Sequence, residues 1–192
     1  MTRPKTQSDE HVLELASRLM HNEGPEALTF ERLARASGLS GSTLVQRFKS
    51  KALLKQRTLL HAWDRLDRNT EEAARWAAKT PTGAIELLVT LSGSYGDIQS
   101  YAEGLLILRE DLRDPVLRAR GATWKAALSK ALADCFAGEA NMPEDIGLLM
   151  ASHWQGSLLW WSFDPDEMDL TAYVEHSLKR FVSALTAPAR SR

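Results

Sequence analysis

Cysteine is nearly absent from this chain, since Cys135 is the only one among 192 residues. A disulfide framework is therefore excluded, and a reducing compartment is the default. Long apolar runs are missing too, because His153 and Gln155 interrupt the most apolar stretch, residues 146–161. Nothing approaches the roughly 18 consecutive apolar residues of a spanning helix, and the N-terminus lacks a signal-peptide core. We expect a cytoplasmic protein with no membrane partner.

Signatures of catalysis are also missing. The sequence has no Gly-x-Ser-x-Gly elbow, no Walker lysine loop and no Gly-x-Gly-x-x-Gly. Its five histidines include no His-x-x-x-His pair. An enzyme in the helical body would need paired titratable groups, but the loose acidic cluster of Asp97, Glu103, Glu110 and Asp111 is more typical of a solvated face. We therefore predict that the chain is not an enzyme, with no catalytic residue, no metal and no cofactor.

Strand signals are scarce, whereas helical periodicity is present throughout. We predict an all-α fold of about nine helices, most of them opened by a Ser, Thr or Asp cap or by a proline. The expected helices cover residues 8–23, 29–37, 41–48, 51–79, 81–99, 101–110, 115–137, 143–163 and 170–186.

Charge is distributed unevenly, although the net charge is −1. Residues 1–55 carry nine Lys/Arg against six Asp/Glu, whereas the rest of the chain carries 15 Lys/Arg against 19 Asp/Glu. A basic N-terminal part on an acidic body fits a polyanionic partner at that end only. A chance excess explains the charge count equally well.

The segment Thr29 to Leu54 carries the most specific pattern. A short periodic segment ends at Gly38, a second begins after Ser40, and a third follows Ser50. Two short helices joined by a tight turn form a helix-turn-helix, which can place its second helix in the major groove of DNA. We predict a three-helix DNA-binding head at residues 1–54 and a larger helical ligand-binding and dimerisation body at residues 55–192.

This segment resembles the DNA-binding signature of the TetR family of transcriptional repressors. The matching residues are Leu33, Ala34, Ala36, Gly38, Leu39, Ser40, Ser42, Thr43, Leu44, Phe48, Ser50, Lys51, Leu53 and Leu54. The resemblance covers about residues 10–60, and it implies that Thr43 and Lys51 grip the DNA backbone. Val45 departs from the family pattern, which usually has Tyr there, and Arg47 replaces a frequent aromatic residue or His.

A helical projection of the second helix gives the candidate base contacts. With about 100° per residue, Leu44 and Phe48 share the inner face, while Ser42 and Gln46 point outward. Gln pairs with adenine and Arg with guanine, and helix N-termini favour phosphate. The predicted DNA-binding residues are Thr29, Ser40, Ser42, Thr43, Gln46, Arg47, Lys49 and Lys51. A helix-turn-helix used only for packing is the alternative, but Gln46, Arg47, Lys49 and Lys51 have no evident internal role.

The body contains all six tryptophans. Aromatic residues at helical spacing are often plain core, yet aromatics between helices also line cavities for apolar effectors. The candidate ligand-binding residues are Trp63, Tyr95, Tyr101, Leu105, Trp124 and Leu128. The last two helices could meet a second copy in a four-helix bundle or could be intramolecular core. The resemblance favours a homodimer, and its candidate interface residues are Leu149, Ser152, Gly156, Leu159, Trp160, Tyr173, Leu178 and Phe181.

Together these patterns predict a sequence-specific transcriptional regulator that binds a pseudo-palindromic operator in double-stranded DNA. The resemblance implies a repressor that a small apolar or aromatic effector releases. The alternative is a helical small-molecule-binding or scaffold protein without specific DNA binding.

Overall fold

The structure, a computed structural model, describes residues 7–93 and 95–186. Within these ranges every regular element is helical, which confirms the prediction of an all-α fold with about nine helices. The elements are α1 (Asp9–Glu23), α2 (Phe30–Ser37), α3 (Gly41–Phe48), α4 (Lys51–Trp76), α5 (Pro81–Ser92), α6 (Ile98–Arg113), α7 (Pro115–Asp134), α8 (Ile146–Trp161) and α9 (Leu170–Thr186), with a short 3-10 turn at Pro25–Ala27.

Side-chain caps start most helices at the predicted positions. The hydroxyl groups that cap α1, α2 and α3 each accept a hydrogen bond from the backbone N–H three residues later, and they belong to Ser8, Thr29 and Ser40. Ser50, Thr80, Asp114 and Asp169 bond in the same way at α4, α5, α7 and α9. Each cap contributes about 1 kcal/mol, so local sequence sets these helix starts.

Several helix ends differ from the predictions. Helix α6 spans 16 residues rather than residues 101–110, and α5 stops at Ser92 rather than at residue 99. Helix α8 begins at Ile146 rather than at residue 143, because Pro143 lies in a preceding turn whose carbonyl accepts from the Ile146 N–H at 3.1 Å. Helices α4 and α7 each end three residues before the predicted residues 79 and 137.

Contacts divide the chain into two compact units. Unit 1 comprises Met1–Leu66 and Gln99–Gly121, and unit 2 comprises Asp67–Ile98 and Ala122–Arg192. Helices α4 and α7 contribute residues to both. The functional division at residue 54 stays a prediction, because the units reflect packing and not role.

Unit 1 has an aliphatic core that fixes the head, which we define as helices α1 to α3. Buried side chains from these helices, from the segment before α2, from the first part of α4 and from the start of α7 form one cluster, namely Val12, Leu13, Ala16, Met20, Leu28, Leu33, Leu44, Phe48, Leu54, Leu59 and Leu117. Each fully buried Leu or Phe contributes about 1.5–3 kcal/mol relative to an exposed one. The core therefore determines which face of α3 remains outside.

Unit 2 is built around the packing of α5, α8 and α9. Trp154 lies at its centre, and its indole N–H donates to the Ser92 hydroxyl at 2.8 Å. Helix α8 also lies very close to α7, because a Cβ at Gly147 would sit 1.9 Å from the Ser129 carbonyl oxygen. Among the described residues, no helix combines the length and the hydropathy needed to cross a bilayer.

Candidate nucleic-acid interface

The turn between α2 and α3 follows from two local features. Gly38 adopts the left-handed conformation, with φ 69° and ψ 10°, and its N–H donates to the Ala34 carbonyl. Ser40 then caps α3, because its hydroxyl oxygen accepts from the Thr43 N–H at 3.1 Å. Gly tolerates this φ without steric cost, so the turn reverses the chain within three residues.

The outer face of α3 consists of small polar side chains and one amide. Leu44 and Phe48 are buried in the unit 1 core, whereas Ser42 and Gln46 are exposed. Val45 is also exposed, to 46%. The face therefore presents a hydroxyl and an amide that can each donate and accept hydrogen bonds, as reading base edges requires.

Arg47, unlike Ser42 and Gln46, is only partly exposed and has partners within the protein. Its guanidinium Nη1 donates to the Gln7 carbonyl oxygen at 2.7 Å and lies 3.4 Å from Asp9 Oδ1. About 100° separates Arg47 from Phe48 around α3, so the Arg47 side chain runs along the flank of the helix toward the start of α1. The expectation that Arg47 has no internal role is therefore wrong.

Asp9 is the centre of a charged cluster that sequence reasoning missed. Its second oxygen lies 3.3 Å from Arg57 Nη2, so one carboxylate lies between two guanidinium groups. The Arg57 guanidinium also sits over the Phe48 ring at 5.1 Å, and Arg57 donates to the Arg47 carbonyl. The cluster joins α1, α3 and α4, and it has one more positive than negative charge. No local pattern signals it, because its members are up to 48 residues apart.

The remaining predicted DNA contacts lie at helix ends. Thr29 and Ser40 use their hydroxyl groups as caps, and Ser40 also bonds to the Thr43 hydroxyl at 2.8 Å. Lys51 pairs with Glu26 at 3.2 Å on the surface, and this contact lowers the pKa of the Glu26 carboxyl. Such an exposed pair is weak and leaves the Lys51 ammonium able to exchange partners. Lys49 is exposed at the C-terminus of α3.

This geometry agrees with a family match. Residues 12–57 match the model of the bacterial regulatory proteins, tetR family. Over these residues the chain is similar to that family. The match spans α1 to the start of α4, and it includes the turn, the outer face of α3 and the Arg57 contact. No curated protein matches the sequence.

Solved structures extend the similarity of fold beyond residues 12–57. A TetR-family regulator from Mesorhizobium loti superimposes with a TM-score of 0.69 at 17% identity, covering 94% of this chain and all of that chain. A regulator from Saccharomonospora viridis in complex with choline gives 0.69 at 17%, with coverage of 90% and 93%. AibR, solved with isovaleryl coenzyme A and operator DNA, gives 0.62 at 19%, with coverage of 93% and 97%. The whole chain therefore has the fold of TetR-family regulators.

The six predicted ligand-binding residues are divided between the units of this TetR-like fold. Trp63, Tyr101 and Leu105 lie in unit 1, whereas Tyr95, Trp124 and Leu128 lie in unit 2. Leu105 is exposed, and Tyr101 is buried, which raises the pKa of its phenol.

Within unit 2, Trp124 and Leu128 border an open cleft of about 200 Å³ between α7 and α8. Its walls are mostly apolar, and it is completed by Lys125, Leu148, Ala151, Ser152, Trp154 and Gln155. Tyr95 lies beside it, because its ring centroid is 6.2 Å from that of Trp154. These predicted residues are therefore close together and line or adjoin a concave surface.

The predicted dimer residues lie on α8 and α9 with mixed exposure. Trp160 is 67% exposed, and its ring packs against the exposed Phe163 ring at 5.8 Å. Ser152 and Leu159 are exposed as well, while Leu149, Gly156, Tyr173 and Phe181 are partly buried. Leu178 is fully buried within unit 2. Its side chain belongs to the core of unit 2, so that assignment is corrected.

Two other features of the body were not anticipated, namely the burial of Asp111 and the contacts of the partly buried His153. Asp111 is buried, so the interpretation of its acidic cluster as a solvated face is wrong at this residue. His153 stacks on Phe181 at 4.4 Å, and its Nε2 lies 2.9 Å from the Ser177 hydroxyl. Ser157 also donates to the Ser177 hydroxyl, so this network joins α8 to α9.

Proposed function

We propose that the chain is a homodimeric transcriptional repressor that binds a pseudo-palindromic operator and is released by a small-molecule effector. The observation that carries this proposal is the division of α3 into two faces. Leu44 and Phe48 are buried on the inner face, whereas Ser42 and Gln46 are exposed on the outer face. A helix presented in this way, within a segment similar to the tetR family, suits the major groove. Thr43 lies at the edge of that face and is a candidate for a contact with the DNA backbone.

The bound state follows from ordinary groove chemistry. Gln46 would pair with the edge of an adenine through its carbonyl oxygen and amide N–H groups, and Ser42 would bond a neighbouring base. The N-termini of α2 and α4, capped by Thr29 and Ser50, would face phosphates with their free N–H groups. Lys49 and Lys51 would add charge there, which makes the affinity dependent on salt. Arg47 would hold α3 in position rather than read a base.

Selection from random duplexes followed by titration tests this part of the proposal. We expect Gln46→Ala to weaken operator binding by about 1–3 kcal/mol and to relax the preference at one base pair in each half-site. Gln99→Ala, at an exposed Gln on α6, is the matched control and should bind as the parent does. Failure to select any sequence, or unselective binding at low salt, would favour the scaffold alternative.

A dimer is supported by the exposed apolar surface on α8. Leu159 and Trp160 are exposed there, as is Phe163 just after the helix, and contiguous apolar patches of this kind mark protein interfaces. We expect Trp160→Glu to yield monomers in sedimentation and to reduce operator affinity, because two half-sites can no longer be bound together. Trp76→Glu makes the same change at a more exposed tryptophan and should leave the assembly intact.

Release by an effector would be a population shift between two states of the dimer that differ in the spacing of the heads. The choline and acyl-coenzyme A complexes named above support small organic effectors for this fold. The measurement is operator release from a preformed complex on addition of candidate compounds. If a compound instead strengthens operator binding, the mechanism is recruitment of the protein to DNA by its ligand and not release from it.

A further inference from the structure

Asp111 on α6 carries a charge that the fold does not require. Its side chain is only 8% exposed, and Oδ1 accepts a hydrogen bond from the Trp63 indole N–H at 3.2 Å. A neutral acceptor is sufficient for an indole N–H, so the amide oxygen of an Asn at this position could accept the same hydrogen bond. Burying a carboxylate instead carries a large desolvation cost unless a cation accompanies it.

Two cations of unit 1 pair with carboxylates other than Asp111. Lys55 on α4 pairs with Glu110, and Arg120 on α7 pairs with Asp64. Across residues 7–93 and 95–186 we find no salt bridge to Asp111. The charged groups that act on it, Asp114 and Glu110, are both negative.

The pKa of Asp111 reflects this setting. Burial raises it to about 6, against the opposing effect of the Trp63 hydrogen bond and with a smaller contribution from Asp114 and Glu110. At pH 7.5 the carboxyl group is nevertheless ionised. A negative charge is thus held in unit 1 without a positive partner.

The face of α6 that carries Asp111 is unobstructed at Gly104. Gly104 is seven residues earlier, so the two positions differ by only about 20° around the helix and lie about 10 Å apart along it. No atom lies within 4 Å of the position that a Cβ would take at Gly104. Beside Asp111, Trp63 contributes an indole ring, the aromatic group that attracts cations most strongly.

We propose that Asp111 and Trp63 bind the charged group of a cationic effector, an organic ammonium ion, whose apolar part extends along α6 toward Gly104. This inference rests on the ligand-responsive function proposed above and specifies the class of its effector. A quaternary ammonium suits the pair, because its charge is spread over alkyl groups that donate no strong hydrogen bond. It can therefore approach a carboxylate on one side and an indole ring on the other.

Calorimetry with the full-length chain tests the proposal directly. The probes are choline and benzyltrimethylammonium, with 3,3-dimethylbutan-1-ol as the uncharged isostere of choline. At pH 7.5 we expect at least one cation to bind, and the isostere to bind at least about tenfold more weakly than choline. Asp111→Asn should weaken cation binding by about 30-fold or more, because it removes the buried charge. Glu110→Gln is the matched control, since that carboxylate already has Lys55, and its affinity should stay within about threefold.

The parent chain supplies a second test that does not depend on a variant folding. Because the cation binds the ionised carboxylate, its affinity should fall about tenfold per pH unit below the Asp111 pKa of about 6. Undiminished binding by a folded Asp111→Asn variant, or a flat pH profile, would overturn the proposal. So would the absence of binding by both cations. Because operator binding is measured separately, a chain that binds DNA but no cation refutes only this inference, whereas cation binding without DNA binding refutes the repressor.

Discussion

Lys49 joins α3 to α4 in a backbone conformation that suits glycine. Its φ is 66° and its ψ is −52°. The Lys49 N–H donates to the Val45 carbonyl at 2.8 Å, and the next N–H, of Ser50, donates to the Phe48 carbonyl at 2.7 Å. Lys49 is thus the central residue of a γ-turn with positive φ, which is strained for any residue that has a Cβ.

Replacing Lys49 by Gly should therefore stabilise the chain. Relief of the steric strain contributes about 1–2 kcal/mol, and the greater freedom of Gly in the unfolded state offsets about 0.5–1 kcal/mol of it. The expected net gain is about 0.5–1 kcal/mol, which raises the Tm by about 1–4 °C for a chain of this length. Lys49→Ala keeps the Cβ and the strain, so its Tm should stay within about 1 °C of the parent.

Scanning calorimetry of the three proteins, followed by operator titrations at several salt concentrations, separates backbone strain from charge. Both substitutions remove the same cation. If Lys49 contacts a phosphate, both should reduce the slope of log K against log[salt] by about 0.9 for each protomer, or about 1.8 for the dimer proposed above. Only Lys49→Gly should gain thermal stability. A Tm for Lys49→Gly at or below that of Lys49→Ala would refute the strain at this turn.

Two further predictions concern packing and buried charge. Gly147→Ala should destabilise unit 2 by at least about 1–3 kcal/mol in denaturant titration, because the new Cβ would meet the Ser129 carbonyl oxygen at 1.9 Å. Gly104→Ala is its control, and it should gain about 0.5–1 kcal/mol since nothing lies within 4 Å; equal effects of the two would contradict the close approach of α7 and α8. The pKa of Asp111 rises from 3.8 in the unfolded chain to about 6 in the folded chain, so folding favours the protonated carboxyl group. The resulting contribution to the free energy of unfolding is complete below pH 3.8 and is lost as the pH rises through about 6. Over that window the stability of the parent should therefore fall by about 2–3 kcal/mol relative to Asp111→Asn in urea titrations, whereas parallel pH profiles would argue against a buried carboxyl group.

Local signals allowed the prediction of much of this fold. The caps at Ser8, Thr29, Ser40 and Ser50 could be located because each is encoded within three residues of the helix it starts. The inner and outer faces of α3 followed from helical periodicity alone, and the structure places Leu44 inside and Gln46 outside as expected. The predicted DNA contacts themselves stay predictions.

The sequence could not reveal contacts between residues far apart in the chain. Arg47 looked free because its partners, Gln7 and Asp9, lie about 40 residues earlier. Asp111 looked solvated because its burial depends on the packing of α6 in unit 1 and on Trp63, 48 residues away. Periodicity identifies which residues share a face, but not which other helix covers that face.

The cluster around Asp9 has a consequence for engineering new specificity into this head. Helix α3 is not an interchangeable cassette, because Asp9 and Arg57 lie outside it and yet hold its C-terminal end through Arg47 and Phe48. If α3 enters the major groove as proposed, grafting only the outward residues of a relative's helix would keep this anchoring and so the original angle of approach to the groove. A graft designed for a different angle would have to replace residues on α1 and α4 together with those on α3.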